Sequence, residues 1–285
     1  MKLVSDYRQS EALRNSFIQL AADIFGLNFK SWHEHGYWDE RYIPFSYADG
    51  DMIVANVSVN ELDFIIEGKS YKALQIGTVM THPEYRNKGL SASLMNHVLD
   101  VYQGKYDFMY LFANDRVLDF YPKFGFEEVE EYQYAAKISA GQGGFELRKL
   151  ELADDLDLIE KTVYERVPVS KTFSTANSSG ITMYHILNVF PDHLYYHAEE
   201  DAVVIFTMEN RVVQLYDVIS TATINIKNIV AGFGETDCIE FHFTPDYRDL
   251  QFQRCPFKRD GALFVKTRPG MELPRFIKHP FTSEA

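Results

Sequence analysis

Apolar residues near the start of the chain recur at the spacing of an α-helix. They are Leu13, Phe17, Leu20, Ala21 and Ile24. Residues three and four positions apart lie on one face of a helix, so this pattern predicts an amphipathic helix over residues 10–25. A glycine follows at position 26. We expect it to end the helix, because glycine readily adopts the conformation found just after helix C-termini.

Polar and apolar residues then alternate in several short runs, which is the pattern of half-buried strands. Strands are predicted over residues 51–59, 61–66, 71–80 and 129–138, and the apolar run FMYLFA predicts a short buried strand over residues 108–113. Helices are predicted over residues 89–102 and 117–124, the second ended by a glycine. This order of helices and strands is typical of an α/β domain built on a mixed sheet.

The pattern restarts after the small segment SAGQGG at residues 139–144, which has the composition of a linker. A strand and an amphipathic helix with an acidic start are predicted within residues 145–166. Further strands are predicted over 194–197, 202–208, 212–218, 238–243 and 262–266, with a helix over 224–230. Because the order of elements loosely repeats, the sequence predicts two α/β domains, residues 1–140 and 145–285.

Charge and cysteine content narrow the class of protein. The formal net charge is −13, which argues against nucleic-acid binding, since that needs Lys and Arg to neutralise phosphates. An acidic chain suits a cationic partner, or the charge serves solubility alone. The two cysteines, Cys238 and Cys255, have no metal-site or CxxC spacing, which favours a reduced, cytoplasmic compartment. The N-terminal segment is charged throughout, so we expect no signal peptide. No apolar run is long enough for a membrane helix, so we expect no membrane partner.

Candidate chemistry first appears at residues 77–100, GTVMTHPEYRNKGLSASLMNHVLD, where a predicted strand leads through a basic turn into a helix. The N-terminus of a helix offers unpaired N–H groups and a partial positive charge. Gly89 would let a phosphate approach this backbone, and Arg86 and Lys88 would add charge-assisted bonds. The segment lacks the glycine spacing of a Walker A loop or of a dinucleotide fingerprint. By itself it is either a pyrophosphate cradle or an ordinary charged helix start.

Two segments together resemble the GNAT acetyltransferase superfamily over the first ~140 residues. VMTHPEYRNKGLS resembles the V-x-P-x-x-[RQ]-x-x-G-x-[GA] pattern, and NDRVLDFYPKFGF resembles the N-x-x-x-x-x-F-Y-x-[KR]-x-G-F pattern. Ser91 stands where the family prefers Gly or Ala, and Thr81 where Val is usual. Both replacements are small enough for us to expect that phosphate binding survives.

The resemblance implies acetyl-CoA as co-substrate and assigns roles to particular residues. It implies that the backbone of Val79, Met80 and Thr81 pairs with the pantetheine and that Asn114 bonds its end. It implies that the pyrophosphate is surrounded by Arg86, Asn87, Lys88, Gly89, Leu90, Ser91 and Ala92. Tyr121 falls on the position that protonates the leaving thiolate. A tyrosine has an ordinary pKa of about 10, above that of a thiol, so it can donate at neutral pH. The alternative for Tyr121 is a core aromatic.

The acceptor amine needs a base, because an alkylamine is protonated at pH 7. Some members of the family carry a Glu on the strand before the cradle, but Gln75 stands nearby here and cannot act as a base. The resemblance implies that the segment WHEHGYWDE borders the acceptor pocket. Its candidate substrate-binding residues are Trp32, His33, Glu34, Tyr37 and Trp38, with stacking on a cation as one role and a packed loop as the alternative. No third ligand accompanies the H-x-H pair at metal spacing, so no metal is expected.

The two-part layout is similar to the enhanced-intracellular-survival type of aminoglycoside acetyltransferase, in which a degenerate GNAT-like domain follows the active one. The length of the chain leads us to expect that the third, sterol-carrier-like domain of that group is missing. The resemblance implies that the terminal carboxylate, here at Ala285, reaches the active site as base. A frayed terminus is the alternative.

We therefore expect a GNAT-type α/β protein with two tandem domains, of which residues 1–140 bind acetyl-CoA and residues 145–285 shape the acceptor site. The expected reaction is direct acetyl transfer to a primary amine, with a small cationic molecule as the acceptor. A non-catalytic CoA-binding sensor or scaffold, and a protein or peptide N-acetyltransferase, are the alternatives. A homo-oligomer is compatible with the sequence.

Overall fold

The computed structural model describes residues 1–138 and 146–285, so the predicted linker at 139–144 lies outside the described residues. The first sheet has the order β1-β2-β3-β4-β5-β15-β6, and β9 pairs with the far end of β3. Its strands are β1 Lys2–Ser5, β2 Tyr42–Asp49, β3 Met52–Ile66, β4 Lys69–Thr81, β5 Phe108–Ala113, β6 Glu127–Val129, β9 Phe173–Ala176 and β15 Ala262–Thr267. Neighbours are antiparallel except for β4 and β5, which run parallel, so the sheet is mixed as predicted.

The second sheet has the order β14-β7-β13-β12-β11-β10-β8. Its strands are β7 Tyr132–Lys137, β8 Leu147–Lys149, β10 Leu194–His197, β11 Ala202–Glu209, β12 Val212–Ser220, β13 Cys238–Phe241 and β14 Phe252–Pro256. The pair β12 and β13 is parallel and the other pairs are antiparallel, so this sheet is also mixed.

Helices cover these sheets. They are α1 Glu11–Phe25, α2 Phe29–Glu34, α3 Leu90–Val101, α4 Leu152–Tyr164, α5 Ser179–Asn188 and α6 Ile226–Gly232. Single 3-10 turns cover Pro83–Tyr85, Asp115–Val117, Tyr121–Phe124 and Phe281–Ser283. Gly26 has φ +72° and its N–H bonds the carbonyl of Ala22, so it ends α1 as predicted. Within the described residues, no helix combines the length and the apolar character that crossing a membrane would require.

The two sheets exchange strands across the predicted domain boundary. β15 comes from the second half of the sequence but lies between β5 and β6, pairing Val265 with Tyr110 and with Glu127. β9 also comes from the second half and pairs with β3. In return β7, from the first half, lies between β13 and β14. Each sheet therefore contains strands from both sides of residues 140–145.

Four predicted elements are divided, merged or of another type in the structure. The single strand over 129–138 is wrong, because the chain leaves β6 of the first sheet, turns, and enters β7 of the second. The helix over 117–124 is wrong, because this region forms two separate 3-10 turns; Pro122, inside the second turn, lacks the N–H that a continuing α-helix needs. The two strands over 51–59 and 61–66 are one continuous strand, β3.

The apolar cores are shared between the two halves. One core combines α1, α2 and the aromatic segment after them with α4, α5 and strands of the second sheet. Another combines Phe64 and Tyr110 of the first half with Phe173, Leu263 and Ile277 of the second. Helix α3 packs on β2 to β5 in a core that includes Phe264 of β15. Since burial of apolar surface is the main stabilising term, neither half completes its core alone.

Candidate active site

Strand β4 separates from β5 halfway along its length. The two strands pair only from Ala73↔Phe108 to Ile76↔Leu111, although β4 continues to Thr81. The register between β4 and β3 shifts at this point, and Thr78 has φ +44°, which marks a β-bulge. The buried side chain of Asn56 holds the bulge, since its Nδ2 donates to the carbonyl of Thr78 at 2.9 Å. The result is a V-shaped opening between residues 77–81 of β4 and the end of β5, which we call the splay.

The predicted phosphate cradle lies at the end of the splayed part of β4. Gly89 has φ +73° and precedes α3, and a Cβ built on it would meet no atom within 4 Å. No side chain caps α3, so the first N–H groups of this helix remain available to a ligand. The hydroxyls of Thr81 and Ser91 are 2.8 Å apart and join the end of β4 to the first turn of α3. Ser91, where the family prefers Gly or Ala, is thereby part of the joint.

The cations of the cradle stay on the surface. Arg86 and Lys88 are exposed. The Nε of Arg86 donates to the carbonyl of Thr81 at 3.4 Å, and the Lys88 ammonium lies 4.5 Å from the centre of the Tyr85 ring. Neither cation has a carboxylate partner within the residues that the structure describes. An open glycine at an uncapped helix start, flanked by two such cations, fits the pyrophosphate of CoA.

Tyr121 is held beside the end of β5. Its side chain is 4% exposed and contacts the rings of Phe120 and Phe264, with centroids 5.2 Å and 5.9 Å away. Burial raises the pKa of Tyr121 to about 12, so the phenol stays protonated at neutral pH. Asn114 is exposed just after β5, and its Oδ1 accepts from the N–H of Arg116 at 3.1 Å.

The predicted acceptor residues do not lie together on an open surface. The rings of Trp32, Tyr37 and Trp38 are each 2% exposed and belong to the core shared by the two halves. The indole of Trp32 donates to the carbonyl of Gly180 at 2.7 Å, and the Tyr37 hydroxyl donates to Glu160. Because the polar groups of Trp32 and Tyr37 bond residues of the second half, these two side chains hold the halves together.

The other two predicted acceptor residues lie outside this core. Glu34 is exposed on α2 and forms an ion pair with Lys30 at 3.8 Å, and His33 is half-buried. Burial lowers the pKa of His33, with Arg14 adding to the shift. Among the described residues, no three His, Cys, Asp or Glu side chains are placed to hold a metal ion.

The last residues of the chain enter the splay from the side of the second sheet. A Cβ built on Gly77, at the base of the splay, would lie 3.4 Å from the carbonyl carbon of Ala285. Side chains from both halves hold the segment. The Thr282 hydroxyl donates to Asp217 at 2.5 Å, the Ser283 and Thr175 hydroxyls are 2.7 Å apart, and His185 Nε2 lies 2.7 Å from the carbonyl of Glu284. Burial lowers the pKa of His185 to about 4, so at neutral pH the imidazole is uncharged and can donate to that carbonyl.

Gln75 bonds the same segment from β4. In the amide orientation that satisfies both of its ends, Gln75 donates to the carbonyl of Ser283 at 3.0 Å and to the Tyr110 hydroxyl at 3.3 Å. Its carbonyl accepts from the N–H of Ala285 at 2.8 Å. Gln75 is fully buried and immediately precedes Ile76, the last β4 residue that pairs with β5. In the sequence Gln75 stands out only as a residue that cannot act as a base, and no local pattern indicates the partners that it finds.

A buried charge network supports the segment. Arg259 forms ion pairs with Glu284 at 2.8 Å and with Glu131 at 2.5 Å. Lys278 pairs with Glu131 at 3.3 Å. Burial raises the pKa of Glu284, while Arg259 opposes that shift. Glu131 lies within FEEVEEY, a segment that looks like a solvated strand face, so no pattern in the sequence indicates this role.

Comparisons with known proteins identify a family that the first half of the sequence matches. Residues 10–129 match the model of the acetyltransferase (GNAT) domain family. A curated relative, N-alpha-acetyltransferase 50 of Danio rerio, is 37% identical over 67 residues, which are 22% of this chain. The chain spans 40% of the length of that relative.

Solved structures resemble the chain over most of its length. Eis1 from Mycobacterium abscessus superposes with a TM-score of 0.60 at 14% identity, covering 94% of this chain and 74% of the other. A GCN5-related N-acetyltransferase from Kribbella flavida superposes with a TM-score of 0.58 at 16% identity, covering 93% and 71%. The predicted fold and the predicted resemblance are confirmed: the chain has the GNAT fold, and its residues 10–129 match the acetyltransferase (GNAT) domain family.

Proposed function

We propose that this protein moves the acetyl group of acetyl-CoA directly to a primary amine of a small cationic molecule. The observation that carries the proposal is the splay, which leaves the edge of β4 at residues 77–81 unpaired by β5 beside an uncapped helix start. Such an edge can pair with an amide-containing chain as a further strand would. Val79, Met80 and Thr81 would hold the pantetheine of acetyl-CoA, and residues 86–92 its pyrophosphate. Asn114 would bond the pantetheine end from the other side of the splay.

Acetyl-CoA supplies the thioester, and the side chains of this protein would move the protons. Tyr121 donates its phenolic proton to the departing CoA sulfur, which its raised pKa permits because the phenol is still protonated at pH 7. Proton donation of this kind contributes about 10²–10⁴ in rate. Holding donor and acceptor in one opening adds proximity.

The base in this proposal is the carboxylate that Ala285 bears as the last residue of the sequence. Its main chain lies at the base of the splay. The nearby buried network contains two carboxylates, Glu131 and Glu284, and two cations, Arg259 and Lys278, so its charges are already matched. Both cations of this network already pair with its own carboxylates, so neither is left to neutralise the Ala285 carboxylate. That carboxylate would accept the proton of an incoming ammonium.

Two features support a small cationic acceptor. The C-terminal segment lies against Gly77 and Gln75 at the base of the splay. A segment in this place would narrow the opening and favour a small acceptor over a peptide. The net charge of −13 would attract a cation and repel an acidic acceptor. A cytoplasmic location and the absence of nucleic-acid and membrane partners belong to the same proposal. The unpaired cysteines, Cys238 and Cys255, fit a reduced compartment.

A second candidate is acetylation of a protein or peptide N-terminus. The observation that favours it is the 37% identity of 67 residues to N-alpha-acetyltransferase 50. A peptide N-terminus also presents a primary amine, so the two candidates share the chemistry at the thioester and differ only in the acceptor site.

The test is thiol release from acetyl-CoA with a panel of amines: spermidine, an aminoglycoside, n-hexylamine and short peptides with free N-termini. Turnover with the polycations and not with n-hexylamine or the peptides supports the proposal. Turnover with the peptides alone selects the second candidate. Binding of CoA without turnover on any amine would indicate a sensor or scaffold instead. Removal of residues 282–285 should abolish turnover while leaving CoA affinity unchanged; unchanged turnover would exclude the Ala285 carboxylate as base.

A further inference from the structure

Gln75 is the only residue of β4 for which a side-chain bond to the C-terminal segment is seen in the described parts of the chain. Its position is unusual for an amide. It is fully buried next to Ile76, the last residue of β4 that pairs with β5, and its amide bonds the Tyr110 hydroxyl. A buried amide with an unmet donor or acceptor is costly, so its partners are fixed with it.

The segment does not need Gln75 to stay attached. Thr282, Ser283 and Glu284 are each held by a separate bond to Asp217, Thr175 and His185, all from the second half of the chain. Arg259 adds a two-fold hydrogen bond to the Glu284 side chain, at 2.8 Å and 3.1 Å. These contacts end at residue 284, and only Gln75 reaches the N–H of residue 285 among the described contacts.

We propose that Gln75 is a positioning residue for acetyl transfer: it sets the direction in which residue 285 points into the splay, and it couples that direction to Tyr110. The inference rests on the proposed function. It assigns Gln75 no proton transfer and no contact with the reacting atoms. Because Gln75 bonds the main chain of residues 283 and 285, its role does not depend on the side chains of the segment.

The geometry distinguishes positioning from simple anchoring. Loss of an anchor such as the Thr175 hydroxyl leaves the hydrogen bonds from Asp217, His185 and Arg259 intact, so the segment stays in place. Loss of the Gln75 amide leaves the segment attached but lets residue 285 turn. A misplaced reactive group lowers kcat steeply, because the rate depends on near-attack geometry.

The experiment compares Gln75→Leu, which keeps the volume but removes both bonding ends, with Thr175→Val, which removes one anchor of the same segment. Turnover is measured with acetyl-CoA and the best amine of the panel above, and CoA affinity by calorimetry. We expect Gln75→Leu to lower kcat about tenfold or more, with the CoA dissociation constant within about twofold. Thr175→Val should lower kcat less than about threefold. Equal losses in both variants, or a kcat unchanged by Gln75→Leu, would overturn the proposal.

Gln75→Glu adds a second measurement, the pH dependence of kcat, which a purely structural role of Gln75 would leave unchanged. The carboxyl group that this substitution introduces cannot donate to the carbonyl of Ser283 when it is ionised, whereas the protonated acid can. The kcat of this variant, divided by that of the wild type at the same pH, should therefore rise as the pH falls. A ratio that is flat in pH would contradict the proposal.

If the wild type acetylates no amine, the proposed function is refuted but the role of Gln75 is not. Hydrogen exchange then tests the role of Gln75. In that case Gln75→Leu should still speed exchange of the Ala285 amide while leaving residues 277–282 protected. Unchanged exchange at Ala285, or fast exchange along the whole segment, would refute the positioning role. If Gln75→Leu does not fold, Gln75→Glu is measured in the same way.

Discussion

The side chain of Tyr121 is buried, and its hydroxyl has no hydrogen-bond partner among the described residues. Replacement by Phe keeps the ring contacts with Phe120 and Phe264 and removes only the proton donor. We predict that Tyr121→Phe lowers kcat about 10²-fold or more, while CoA affinity and the melting temperature stay nearly unchanged. Steady-state kinetics with calorimetry and thermal unfolding measure these three quantities. A loss of melting temperature that matches the loss of activity would instead indicate a packing role.

The pH dependence follows from the same side chain. A pKa raised to about 12 means that the folded state keeps the phenolic proton more tightly than the unfolded chain does. Stability from this group is complete below its ordinary pKa of about 10 and is lost as the pH rises through the folded value. Between pH 7 and 10, activity should therefore only rise, as more of the acceptor amine loses its proton. A decline within this range would show that a different group is the acid.

Gly89 offers a second test at a single residue, with a matched control. Gly89 and Gly68 have nearly identical φ angles, +73° and +74°, and a Cβ on either would meet no atom within 4 Å. Replacement by Ala should cost each site about 1 kcal/mol of unfolding free energy, from backbone strain alone. Only Gly89→Ala should also weaken CoA binding, by about tenfold, because its Cβ would occupy the approach of the phosphate. Urea unfolding and calorimetry measure the two effects, and equal CoA affinities would place the cradle elsewhere.

At the scale of the element, the junction of β5 and β15 depends on Gly261. Its φ is +105°, and a Cβ there would lie 1.8 Å from the carbonyl oxygen of Ala113, the last residue of β5. To make room for this Cβ, the main chain at Ala113 and Asn114 would have to move. Gly261→Ala should lower the unfolding free energy by at least about 2 kcal/mol. Gly270→Ala, at φ +81° in open space, should cost about 1 kcal/mol. Chemical denaturation compares them, and equal costs would contradict the close contact.

The elements show which parts of the fold the sequence can predict. Periodicity is local, so α1, α3 and the strands at 194–197 and 262–266 lie close to their predicted positions. Strand pairing is not local. The apolar run at 262–266 contains no signal that its neighbours are β5 and β6 rather than a strand of its own half. The sequence predicts a single strand over 129–138 because the buried charge of Glu131, where the chain changes sheets, looks like one more surface glutamate.

The candidate site also has a part that the sequence indicates and a part that it does not. The residues that we propose to surround the phosphate follow each other in sequence, so the segment from Arg86 to Ala92 can be recognised from its pattern. The proposed acceptor side is assembled from β4, β5 and the C-terminal segment, of which the last is far from the other two in the chain. Aromatic content alone does not distinguish a cation-binding surface from a core. The rings of Trp32 and Trp38 therefore suggest an acceptor site in the sequence, whereas in the structure they pack between the two halves.

At the scale of the whole molecule, the exchange of strands makes each half incomplete. Without β15, the edge of β5 over Phe108–Ala113 and the short β6 would both lose their partner. Without β7, the second sheet would lose the strand between β13 and β14. An unpaired, apolar strand edge is an aggregation site, and an interrupted core forfeits the main stabilising term.

We therefore predict that residues 1–138 and residues 146–285, expressed separately, do not fold, although the GNAT family match lies entirely within the first piece. Expressed together, the two pieces should form one complex, because the contacts that complete both sheets do not require a covalent connection between residues 138 and 146. Cooperative unfolding by circular dichroism and the size of the species on gel filtration test this. A monomeric 1–138 fragment that unfolds as cooperatively as the full chain would show that β15 is dispensable. If only the complex binds CoA and releases thiol, the strand exchange is what holds the splay in its working shape.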